Sequence, residues 1–188
     1  MEKVLIVSAT EKSQQMLAGL FSQPPKPSII LAASGTAARQ MLLETECDLV
    51  LINTPLQDEF GGELAIRAAR CGCGVLILVR AELEEEISAK VEDYGVFVLP
   101  RPLSRATFFQ SVKLLRAVRR REERLIEENR RLREKIDEIR IVERAKYVLI
   151  DHLAFSEEQA HRYIEKQAMD RRVTRRAIAE SILNTYES

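Results

Sequence analysis

Residues 108–139 read FFQSVKLLRAVRRREERLIEENRRLREKIDEI. Alternating steps of three and four through this stretch fall on Phe108, Ser111, Leu115, Val118, Glu122, Leu125, Asn129, Leu132, Ile136 and Ile139. Those are the a and d positions of a heptad repeat, with Asn129 at an a position and Leu125 and Leu132 at d. No proline or glycine interrupts the run. The flanking positions are crowded with Arg and Glu, so the apolar surface is one narrow seam that a partner helix must cover. An asparagine at a pairs best with its own copy across a parallel, in-register dimer. The stretch therefore predicts a dimerisation helix over residues 108–140, with Leu115, Val118, Leu125, Asn129, Leu132, Ile136 and Ile139 at the contact. Ser111 and Glu122 weaken its start. A long helix packed on its own domain is the competing reading, and the charged flanks leave it little surface to pack with.

The chain on either side of this helix is long enough for two further small domains. Net charge is zero over the 188 residues, which hides an asymmetry: residues 1–111 carry −4 and residues 112–188 carry +4. A polyanion would therefore meet the C-terminal half. There is no apolar run of about 18 residues and no cleavable signal pattern, so a cytoplasmic protein outside the membrane is expected. Cys47, Cys71 and Cys73 lack the spacing of a zinc site, and neither His152 nor His161 is near them in sequence. Free thiols, no metal and no cofactor are expected.

Residues 1–107 alternate short apolar runs with helical spacing. Lys3–Val7, Ile29–Ala33, Asp48–Ile52, Val75–Val79 and Val96–Leu99 read as five strands buried on both faces. Helices are expected over Glu11–Phe21, from Ser34–Gly35 to Glu44, after Gly61–Gly62, over Glu82–Tyr94, and from Ser104 into the heptad stretch. This order predicts an α/β fold with an open, mostly parallel sheet.

Five β/α units followed by Arg101–Pro102 resemble the receiver domain of two-component response regulators, which has a flavodoxin-like five-stranded parallel sheet. That family phosphorylates an Asp at the end of the third strand, beside an acid pair that binds Mg²⁺. Here the resemblance puts Asn53 at the acceptor position and Ser8 and Ala9 at the acid pair. The hydroxyl position falls near Val79, and Arg101 stands where the family has Lys. An amide is a poor nucleophile and forms no acyl phosphate, and without the acids no hard cation is held by oxygen ligands. The domain is expected to be a pseudo-receiver, open to a sensor or sequestering protein as partner.

Residues 141–188 read as three short helical pieces. The apolar face of the long helix broadens through Ile141, Val142, Ala145, Val148 and Leu149. Ser156–Gln159 is a capping box opening a helix with Ala160, Ile164 and Ala168 on one face, and Thr174 caps a last helix with Ile178, Ile182 and Leu183. Ala145–Lys146, Phe155–Ala160, Gln167–Asp170 and Ile178–Leu183, in this order and spacing, resemble the ANTAR family of RNA-binding transcription antitermination regulators. Tyr147 stands where that family usually has Gly, and His161 where it often has Tyr or Phe.

The basic residues fit RNA independently of the resemblance. Lys146, Arg162, Lys166, Arg171, Arg172, Arg175 and Arg176 offer phosphate contacts, and His161 and Tyr163 offer ring faces for unpaired bases. Lys146 is expected on an exposed side of its helix. The expected function is a non-enzymatic homodimeric regulator of a two-component type, binding stem-loops of nascent RNA to promote antitermination. A DNA-binding or protein-scaffolding regulator, controlled through the pseudo-receiver, is the alternative.

Overall fold

The computed structural model describes residues 3–22, 24 and 26–186. The chain divides into two compact units, residues 1–121 and 122–188.

The first unit is built on five parallel strands: β1 (Lys3–Ser8), β2 (Ser28–Ala32), β3 (Leu49–Asn53), β4 (Gly74–Arg80) and β5 (Val96–Arg101). Their order is β2-β1-β3-β4-β5, the flavodoxin-like arrangement. Residues 4–7 and 49–52 have no exposed surface, as expected of strands covered on both faces. Helices α2 (Gly35–Glu44), α3 (Gly62–Arg70) and α4 (Glu84–Val91) cover one face, and α1 (Glu11–Ala18) with the start of α5 (Arg105–Leu153) covers the other. Two expected helices are shorter than their apolar spacing implied. Gly19–Phe21 and both ends of the acidic segment, Ala81–Leu83 and Glu92–Tyr94, are tighter 3₁₀ turns.

The start of the heptad stretch belongs to this unit's own core. Phe108, Val112 and Leu115 are buried beneath the sheet with Leu17, Leu76 and Leu99. Leu115 was expected in the seam; it is instead spent on its own domain, because β4 begins at Gly74 and leaves room for it there. The exposed row starts at Val118 and continues through Leu125, Leu132, Ile136 and Ile139.

The second unit holds the remainder of the 49-residue α5, then α6 (Glu157–Arg171) and α7 (Arg175–Tyr186). Its core joins Ala145, Val148 and Leu149 to Ala160, Ile164 and Ala168 and to Ile178, Ala179 and Ile182. One fully buried alanine from each helix, Ala145, Ala160 and Ala179, removes bulk where the helices approach. The three cysteines are free, and among the described residues no helix is long and apolar enough to cross a membrane.

Candidate nucleic-acid interface

The caps that position the basic residues form as their sequence implies. Ser156 Oγ accepts from Gln159 N–H while the Gln159 side chain accepts from Ser156 N–H, closing the capping box of α6. Thr174 Oγ1 accepts from Ala177 N–H at the start of α7. Between them α6 ends on Arg172, which has φ 53 and ψ 43. Arg172 N–H donates to Met169 O and Val173 N–H to Ala168 O. This is the left-handed helix stop that glycine ordinarily fills, occupied here by an arginine.

Lys146 is not exposed. Only 7% of it reaches solvent, and its Nζ lies 2.8 Å from Glu143 Oε1 and 3.2 Å from Glu157 Oε1. The first turn of α6 packs beside it, a neighbour that the spacing of α5 alone could not reveal. The hydrogen bond that Lys146 donates to Glu143 outweighs desolvation, and with the one to Glu157 it holds the ammonium above the usual lysine pKa.

The other expected contact residues fall into two sets. Arg162 pairs with Glu158, Arg176 with Glu180 at 2.8 Å, and Arg175 lies 3.7 Å from Glu165. Lys166, Arg171 and Arg172 are exposed and are engaged by no carboxylate among the described residues. Lys166 lies within α6, and Arg171 and Arg172 lie at its C-terminal end, where the helix dipole favours cations.

His161 and Tyr163 do not share a face. Residues two apart on a helix point to different sides, and here His161 Nε2 lies 3.3 Å from Glu165 Oε1 while the Tyr163 ring meets Phe155 edge-on at 5.8 Å. Glu165 thus holds both His161 and Arg175. Glu157 and Glu165 are neighbours of the expected contact residues that residue type alone does not single out. The His161–Glu165 spacing of four was a legible signal for one of them, whereas the approach of Glu157 to Lys146 depends on packing.

In the first unit, Asn53 stands at the carboxyl end of β3. Its Nδ2 donates to Ser8 Oγ at 3.0 Å, and Arg101 donates to Asn53 Oδ1 at 3.4 Å and to the Thr54 carbonyl at 2.8 Å. The strand ends are bridged by neutral groups and one guanidinium, an arrangement suited to neither a nucleophilic carboxylate nor a divalent cation. Asp58 caps α2. Its carboxylate accepts from Gly35 N–H, Thr36 N–H and Thr36 Oγ1, and the backbone bonds bring its pKa down to about 2. Among the described residues no group of three or more His, Cys, Asp or Glu side chains is placed to hold a metal ion.

Residues 130–183 match the ANTAR domain. The whole chain is similar to the transcriptional regulatory protein PdtaR of Mycobacterium tuberculosis, 24% identical over 184 residues, covering 97% of this chain and 90% of that one. The first unit has the fold of solved receiver domains. One is the signal receiver domain of an HD domain-containing protein from Pseudomonas fluorescens Pf-5, with TM-score 0.57 and 22% identity over 65% of this chain and 92% of that one. Another is a two-component response regulator from Clostridium difficile, with TM-score 0.53 and 21% identity over 61% of this chain and 95% of that one.

Proposed function

From a chain that joins a receiver-like domain to an ANTAR domain, the organisation of ANTAR-family response regulators, we propose a non-enzymatic cytoplasmic regulator that binds stem-loops of nascent RNA and promotes transcription antitermination. The observation that carries this reading is the ANTAR unit with Lys166, Arg171 and Arg172 exposed and engaged by no carboxylate among the described residues. Exposed Lys and Arg side chains contact phosphates without regard to sequence, and unpaired loop bases supply the sequence. Lys146, Arg162, Tyr163, Arg175 and Arg176 complete the contact surface, Lys146 by exchanging a carboxylate for a phosphate.

The active form in this reading is a parallel dimer. Leu125 and Leu132 are 56% and 53% exposed, and α5 carries that row with Val118, Asn129, Ile136 and Ile139 along one side. Pairing the rows of two copies buries the apolar side chains and matches Asn129 with its own copy. Residues 1–107 with the buried start of α5 then act as the pseudo-receiver, the part of 108–140 from Val118 onward as the dimerisation segment and 141–188 as the RNA-binding domain. Two such domains suit an RNA with two similar loops, and a sensor or sequestering protein at the pseudo-receiver would control access to them.

The test is recovery of the full-length protein from cells after crosslinking, followed by sequencing of the bound nucleic acid. Enrichment of transcript leaders carrying paired stem-loops supports the reading. Enrichment of duplex DNA, or of no nucleic acid, overturns it.

A further inference from the structure

A groove of about 320 Å³ opens within the second unit, bounded by Lys135, Ile139 and Val142 of α5, His161 of α6 and Arg175 of α7. The carboxylates of Glu138 and Glu143 stand on its α5 side. Every one of these residues lies inside the ANTAR match. On a helix of 3.6 residues per turn, Lys135, Glu138 and Val142 stand between about a quarter- and a third-turn around from the row Leu125, Asn129 and Leu132, while Ile139 belongs to that row and Glu143 continues it. The groove therefore borders the dimer row and shares Ile139 with it.

The chemistry around the groove is sorted by type. His161 and Arg175 bring two flat groups, both within 4 Å of the Glu165 carboxylate. Ile139 and Val142 supply an apolar floor. Lys135 and Arg175 supply positive charge for a phosphate. Glu138 and Glu143 offer only acceptors, which match an exocyclic amino group. Two of the groove's charges have internal partners: Glu143 is held by Lys146 at 2.8 Å, and Arg175 faces Glu165 at 3.7 Å.

We propose that this groove receives one unstacked, amino-bearing base of the bound RNA loop, stacked against His161, with its amino group donating to Glu138 and its phosphate near Lys135. The inference rests on the RNA-binding reading and adds where the base is read. A flat ring satisfies the apolar floor and the planar groups together, and single-stranded bases are recognised by stacking plus contacts to their edges. Lys166, Arg171 and Arg172 lie outside the groove and contribute phosphate attraction only.

The test uses the full-length protein and a pool of hairpins with one fixed stem and randomised loops. Hairpins selected by the wild type are then made abasic at each loop position in turn and titrated against wild type, His161→Ala, Glu138→Gln and Lys166→Ala. One position should lower wild-type affinity about tenfold when abasic, the scale of one lost stacked base. The same abasic change should cost the His161→Ala protein about twofold or less, because the stack is already lost, and should cost the Glu138→Gln protein less than the wild type. In Lys166→Ala it should keep its full effect. Losses that add in the groove variants overturn the proposal while leaving RNA binding standing. A pool that never enriches removes the RNA-binding reading and the groove with it. His161 is exposed, and Glu138→Gln changes no shape, so one of the two variants retains the fold.

Discussion

Lys146 on α5 and Glu157 in the first turn of α6 meet at 3.2 Å, with the lysine buried and the glutamate open to solvent. The pair fastens the two helices and also occupies the cation an RNA phosphate would seek. Glu157→Gln should therefore strengthen RNA binding by about two- to fivefold, the worth of one exposed ion pair. Lys146→Met, which keeps the buried stem, should weaken binding while changing stability by no more than about 1 kcal/mol. Filter titration and thermal melting of both variants check this; unchanged affinity in each would place the RNA elsewhere.

Arg172 closes α6 with φ 53. A non-glycine residue there carries a steric penalty of about 1–2 kcal/mol. Arg172→Gly should raise the melting temperature of the C-terminal unit, and in the same protein it should lower RNA affinity and flatten the salt dependence by about one unit of slope or slightly less. Stability and binding moving together in one direction would mean the arginine is only a poor helix stop.

Leu125→Glu with Leu132→Glu should convert the protein to a monomer in sedimentation, since both charges fall in the middle of the proposed seam. Asn129→Val should be at least as stable but should populate other oligomeric states. A dimer mass retained by the double glutamate variant would send the pairing surface elsewhere.

Acid titration followed by circular dichroism should expose the cap at Asp58. Its folded-state pKa is lowered to about 2 from 3.8, so its contribution is fully present above about pH 4 and is lost as pH falls through 2. Asp58→Asn should lower stability at neutral pH and flatten the titration in that window. An identical acid limb in both proteins would make the cap energetically idle.

Incubation with acetyl phosphate should leave the intact mass unchanged. Asn53→Asp alone should also gain no phosphoryl group, because Ser8 and Ala9 still offer no carboxylate for Mg²⁺. A hydroxylamine-labile adduct on either protein would refute this.

What the sequence disclosed, and what it withheld, divides along physical lines. The strands were legible because sheets covered on both faces demand unbroken apolar runs such as Val4–Val7. The capping box at Ser156 was legible because its partners sit within one turn. Leu115 was misread because a seam residue and a core residue look identical in a heptad, and only the position of β4 separates them. Lys146 was misread because its burial depends on α6, which reaches it across the loop after Leu153. His161 and Tyr163 were grouped by residue type, although helix geometry alone parts them.

The bridge from Ser8 through Asn53 to Arg101 has a consequence for timing. A carboxylate at that strand end would store a past stimulus as a covalent bond, persisting until hydrolysis. An amide stores nothing. Under the proposed reading, a signal received at this domain lasts only as long as its partner stays bound and fades at that partner's dissociation rate.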